Sequence, residues 1–225
     1  MTQKTRKTAG VATAVVATMG LALTACSGGG ESSGVTDETN AALKVCEQVF
    51  GAKGVTDARA VLGNSGFRAE SGPLDEIKES MLKEARAYVP GSEDLSRNRH
   101  DVCRLSAEGE GDTVGSVDGR VKWSVLTMDS VTSGPTAGDW RRAAANVYVQ
   151  REKRRGGLAT VLPCRIPGAA EGQERELPLE ISVLGEGLGG DKEAVLGTLL
   201  ASLAQDTQKR LGCVQPVSVP ATLVP

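Results

Sequence analysis

Apolar residues at Ala42, Val45, Cys46, Val49 and Phe50 recur at i, i+3, i+4, i+7 and i+8. That spacing predicts one face of a helix beginning near Glu38 and stopped by Gly51. A second, shorter helix is expected over Asp57 to Leu62, and Gly63 to Gly72 reads as loop. Pro73 then opens a stronger helix with Leu74, Ile77, Met81, Leu82, Ala85 and Tyr88 on one side. Asp75, Glu76, Lys78, Glu79, Lys83 and Glu84 fill much of the other side, and Pro90-Gly91 ends the segment. Proline at the first turn with acids beside it suits the helix geometry and dipole.

The period then changes. His100 to Ser106, Val121 to Met128, Asn146 to Gln150, Leu158 to Arg165 and Leu179 to Leu184 read as strands, with Val121, Trp123 and Val125 sharing one side. Arg151 to Gly157 reads as a hairpin tip. A last helix runs from Asp191, a candidate N-cap, to Leu211 and stops at Gly212, with an extended, proline-containing tail from Val214 to Pro225. Helices, then strands joined by short turns, then a helix predict an α+β fold. Its antiparallel sheet of about five strands is packed by the N-terminal and C-terminal helices. A doubly wound parallel sheet would alternate helix and strand, and this chain does not. Cys103-Arg104-Leu105 echoes Cys164-Arg165-Ile166, and Ser124-Val125-Leu126 echoes Ser182-Val183-Leu184. The echo fits either an internal duplication or similar strands needing similar residues.

The chain has 225 residues and a net charge of −2, which lacks the basic excess of a nucleic-acid binder. The N-terminus is the informative part. Lys4, Arg6 and Lys7 precede an uncharged stretch from Ala9 to Leu23 rich in Ala, Val, Leu, Gly and Thr. This is a basic n-region followed by an h-region, shorter than the roughly 20 apolar residues a membrane span needs. Leu23-Thr24-Ala25-Cys26 follows, with Ser27-Gly28-Gly29-Gly30 behind it. The tetrad resembles the lipobox of bacterial lipoproteins: Leu, a small or polar residue, Ala, then the modified Cys. The resemblance implies cleavage before Cys26 and attachment of a diacylglyceryl group to its thiol. Two acyl chains anchor stably where one is marginal.

The expected organisation is a signal peptide over 1–25, a lipidated Cys and flexible tether over 26–40, and a single domain over 41–225. Loss of three positive residues with the leader brings the remainder to a net charge of −5. The Gly, Ser, Thr and acidic composition of the tether predicts a coil that holds the domain about 20 Å from the headgroups.

With Cys26 lipidated, Cys46, Cys103, Cys164 and Cys213 remain. Four thiols in an oxidising compartment predict two disulfides, with three possible connectivities. Cys46–Cys103 with Cys164–Cys213 is favoured, because these are chain neighbours and each pair staples a helix to a strand. The main alternative joins Cys103 to Cys164 and Cys46 to Cys213. Gaps of tens of residues and a single histidine, His100, do not fit a zinc site, and a C-x-x-C motif is absent. No metal and no cofactor are expected.

Little in the sequence points to catalysis. His100 beside Asp101 lacks a nucleophile elbow, and Asp75, Glu76 and Glu79 are most simply solvated. Gly185-Glu186-Gly187-Leu188-Gly189-Gly190 lacks the Lys-Ser/Thr of a phosphate loop and reads as a turn. Arg151, Lys153, Arg154 and Arg155 form the one concentrated basic patch. They are candidates for contact with an anionic surface, to which Trp140-Arg141-Arg142 could add. Trp123 and Trp140 are expected in the core or on a sheet face.

Taken whole, the chain resembles small actinobacterial (Streptomyces-like) extracytoplasmic lipoproteins, on its lipobox, tether and four-cysteine α+β body. The resemblance implies a non-enzymatic binding or regulatory accessory at the cell membrane, for example a modulator of a membrane sensor. It would be held to membrane lipid through Cys26 and face an envelope protein or wall component. A transporter's solute-binding lipoprotein and an envelope hydrolase are the alternatives.

Overall fold

A computed structural model describes residues 37–63, 66–92, 97–108, 115–152, 156–188 and 191–225. Leu23, Thr24, Ala25, Cys26, Lys153, Arg154 and Arg155 lie outside the described residues. Along the chain come α1 (Asp37–Phe50), α2 (Ala52–Leu62), β1 (Phe67–Ser71), α3 (Leu74–Arg86), β2 (His100–Ala107) and β3 (Ser116–Trp123). They are followed by α4 (Met128–Thr132), β4 (Arg141–Ala144), β5 (Val147–Glu152), β6 (Gly157–Leu162), α5 (Gln173–Glu176), β7 (Leu179–Glu186) and α6 (Lys192–Leu211).

The fold is α+β, with one antiparallel sheet in the order β1-β2-β3-β7-β6-β5-β4. The described sheet has seven strands where about five are expected from the sequence. The two additional strands are its edges. β1 overturns the reading of Gly63 to Gly72 as loop. Only Phe67 and Ala69 are buried in its five residues, too short an alternation to register as a strand. β4 carries no apolar alternation and is held by backbone pairing to β5, with a register shift between Arg142 and Ala144.

Boundaries move for local reasons. β3 begins at Ser116 and stops at Trp123, because Thr127 caps α4 by accepting a bond from the Ser130 N–H. α2 starts at Ala52, one residue after a positive-φ Gly51 that breaks it from α1. α1 starts at Asp37, so it takes in the last residues assigned to the tether. α3 ends at Arg86, and Tyr88 is buried just beyond it. Asp191 precedes α6 but makes no side-chain capping bond. The sequence echo does not mark equivalent places. Cys103-Arg104-Leu105 lies within β2 whereas Cys164-Arg165-Ile166 follows the end of β6, and Ser124-Val125-Leu126 follows β3 whereas Ser182-Val183-Leu184 lies within β7.

Strand residues alternate between faces, so the register divides the sheet's two sides. One side carries Leu105, Val117, Val121, Trp123, Leu158, Leu162, Leu179, Ile181 and Val183, all buried in the main core with Leu196, Leu199, Leu200 and Leu203 of α6. α1, α2 and α3 complete this cover. Gly119 belongs to the same row, and a Cβ there would lie 2.5 Å from Phe50 Cζ. The ring of Phe50 thus occupies the space a side chain would take. Trp123 Nε1 donates to Met81 O at 2.9 Å, tying α3 to the centre of the sheet.

The disulfides join Cys46 to Cys103 and Cys164 to Cys213, the pairing favoured from chain proximity. The first staples α1 to β2. The second joins the segment after β6 to the residue just past the glycine that ends α6.

Candidate binding face

The opposite side of the sheet is treated in two ways. Over β5 and β6 it is covered by a second, smaller core in which Met128, Val131 and Trp140 pack on Ala159 and Val161. The chain between β3 and β4 provides that cover, and it is where Trp140 goes. Trp140 is therefore a packing residue, while its neighbours Arg141 and Arg142 are exposed on the β4 edge.

Over β1, β2, β3 and β7 the same side presents charges. β3 reads Ser116-Val117-Asp118-Gly119-Arg120-Val121-Lys122-Trp123, so Asp118, Arg120 and Lys122 share the side away from the helices. Each meets an opposite charge on a neighbouring strand. Arg104 Nε is 3.6 Å from Asp118 Oδ1, Arg120 Nε is 2.7 Å from Asp101 Oδ1, and Lys122 Nζ is 3.0 Å from Glu180 Oε1. The register sets Glu70, Arg104 and Asp118 in one row, Asp101, Arg120 and Ser182 in the next, and Lys122 and Glu180 in a third. Sign alternates along each charged row. Ser116 Oγ donates to Asp118 Oδ2, and Ser124 Oγ donates to Glu180 Oε2, which fixes both carboxylates further.

Two shallow hollows of about 260 Å³ flank Arg120 on this face. One reaches Glu70, Asp101, Arg104 and Asp118; the other reaches Arg99, Lys122, Glu152, Glu180 and Ser182. Arg104 and Asp101 are more than half exposed, whereas Asp118, Arg120, Lys122 and Glu180 are only partly open to solvent. Together they hold a fixed charge pattern on this side of the sheet.

Other sequence candidates do not join this face. His100 and Asp101 are successive strand residues and point to opposite sides, with His100 opposite Val121 and Asp101 opposite Arg120. They form no dyad. Asp75, Glu76 and Glu79 are exposed on α3. Gly185 and Glu186 belong to β7, so the glycine-rich stretch begins as strand. Arg151 lies in β5 with its Nη2 2.5 Å from Glu193 Oε1 of α6, so the first member of the expected basic patch already has an anionic partner. Among the described residues no group of three or more His, Cys, Asp or Glu side chains could hold a metal ion. No described helix is long and apolar enough to cross a membrane.

Elsewhere Arg175 Nη2 donates to Asp129 Oδ1 at 2.8 Å, beside a hollow of about 570 Å³ that Glu174 and Arg165 also line. Hydrogen bonding to Asp129, then its charge, raises the Arg175 pKa, so this cation stays charged at any working pH. Burial, with the nearby charges of Glu176 and Glu174, raises the Tyr88 pKa.

The ladder on β3 was within reach of sequence reasoning. Asp118, Arg120 and Lys122 recur at every second position, but a strand begun at Val121 leaves two of them out. Their partners on β2 and β7 carry no local signal. Compared with protein-family models, curated proteins and solved structures, the chain matches none of them.

Proposed function

We propose that this protein is a lipid-anchored extracytoplasmic lipoprotein that binds an envelope protein through the charged, helix-free face of its sheet. The observation that carries the reading is the alternating ladder of Arg104–Asp118, Arg120–Asp101 and Lys122–Glu180 on a part of the sheet that no described helix covers. Two disulfides fit an oxidising compartment. The leader and the Leu23-Thr24-Ala25-Cys26 tetrad supply the address. The reading is non-enzymatic: Asp101, Asp118 and Glu180 each pair with a cation and so belong to the charge ladder.

Two experiments test it. Cys26→Ala should move the protein from the membrane to the soluble fraction; retention at the membrane would refute the anchor. Crosslinking of the full chain on cells should capture a partner protein, and Arg120→Glu with Lys122→Glu should abolish that product. A product unchanged by the two reversals would remove the sheet face from the interface.

A further inference from the structure

The two ends of the sheet differ in a way that bears on self-association. Among the described residues β1 and β4 are its edge strands, each with one neighbour. β4 is four residues long, has a register shift and sets Arg141 beside Arg142, features that discourage edge pairing. β1 is regular over Phe67-Arg68-Ala69-Glu70-Ser71, and it carries one cation and one anion on either side of Ala69.

The direction of its backbone groups can be read off. The Glu108 N–H donates to Gly66 O, and the Gly72 N–H donates to Val102 O. Even-numbered positions of this strand therefore bond to β2. The N–H and C=O of Phe67, Ala69 and Ser71 point to the outer edge.

A two-fold partner strand must use those same groups. Centring the axis on Ala69 places Ala69 opposite Ala69 of a second copy, and Phe67 opposite Ser71, all as hydrogen-bonded pairs. Arg68 then falls opposite Glu70 in the closer, non-hydrogen-bonded positions, twice by symmetry. Moving the axis one residue either way puts Arg68 opposite Arg68 or Glu70 opposite Glu70, which like-charge repulsion disfavours. Charge thus selects one register. In that register the row Asp118–Arg104–Glu70 continues into Arg68 of the second copy, keeping its alternation of sign. Beneath the edge, α1 and β1 bound an open groove of about 670 Å³ whose α1 wall is Glu38, Thr39, Ala41, Ala42 and Val45.

We infer that β1 is a homodimer edge, pairing antiparallel with β1 of a second copy about Ala69 to form one continuous sheet. The inference does not rest on the partner-binding role of the charged face.

The test is the mass of the purified full chain in detergent as a function of concentration, by sedimentation. The wild type should dimerise. Arg68→Glu alone and Glu70→Arg alone should each weaken the dimer about tenfold, since each creates two like-charge pairs. Mixing those two variants should restore association as a heterodimer, because the two acids on one copy's strand then face the two cations on the other's. Arg68→Cys mixed with Glu70→Cys should form an interchain disulfide, and neither should do so alone. Thermal melts of each variant establish that these exposed changes leave the fold intact. A wild type that stays monomeric, or a dimer indifferent to the reversals, would overturn the inference, and neither outcome bears on partner capture by the charged face.

Discussion

Phe50 and Gly119 show how one residue's absence of a side chain places an element. The ring from the last turn of α1 lies on the glycine of β3, with Leu203 of α6 beside it. Gly119→Ala should destabilise the protein by about 1–3 kcal/mol through overpacking, and Phe50→Leu in the same chain should recover part of that loss. Urea melts of the single and double variants check both. Tyr88 provides a pH prediction. Its raised pKa means that the unfolded chain loses this proton first as pH rises. Its contribution is therefore whole below the ordinary tyrosine value of about 10 and declines as pH climbs through the folded value. Tyr88→Phe should flatten that alkaline decline relative to the wild type, measured by urea midpoints between neutral and strongly alkaline pH. The sequence already set Tyr88 on the apolar side of a helix, but a glycine inside a strand acquires its meaning only from what packs on it.

Among elements, the disulfides bear most on stability. Cys46–Cys103 and Cys164–Cys213 close segments of 57 and 49 residues. On a chain-entropy account each contributes roughly 4 kcal/mol by restricting the unfolded chain. Replacing both cysteines of one pair by alanine should lower the unfolding free energy by about 2–5 kcal/mol, and the two pairs should cost similar amounts. A loss confined to one pair would mean that native strain or residual unfolded structure outweighs loop closure. Elements with long apolar periods, such as α1, α3, α6 and β7, were legible because their burial is one-sided and regular. β1 and β4 were not. An edge strand needs only one neighbour and little burial, so its sequence retains the composition of a loop. The same weakness of signal hides the one edge whose charge pattern is self-complementary.

At the scale of the whole molecule, helices cover one side of the sheet and a short segment covers part of the other. The described structure leaves a charged area between them. If that area recognises a protein, its affinity should fall with salt, because exposed charges more than a Debye length apart are screened. Measuring crosslink yield at low and high ionic strength reads this out. On the proposed lipid anchor the domain would be confined near a surface, where a weak edge-to-edge contact gains from raised effective concentration. Anchoring and dimerisation would thus reinforce each other without any new contact.

The sequence by itself determined local features: helix periods, the α+β class and the pairing of Cys46 with Cys103 and Cys164 with Cys213 as chain neighbours. Each rests on neighbours along the chain, where spacing alone carries the physics. Tertiary structure decided the rest. It set β3 against β7 across the long stretch of chain between Trp123 and Leu179, and aligned Asp101, Arg104 and Glu180 with the cations or anions of β3. It also took Arg151 out of the basic tip by giving it Glu193. A charged face is a property of strand order and register, and both are fixed by which apolar rows the helices bury. No local pattern encodes that choice, so the helices could be read from the chain while the charged face emerged only from the fold.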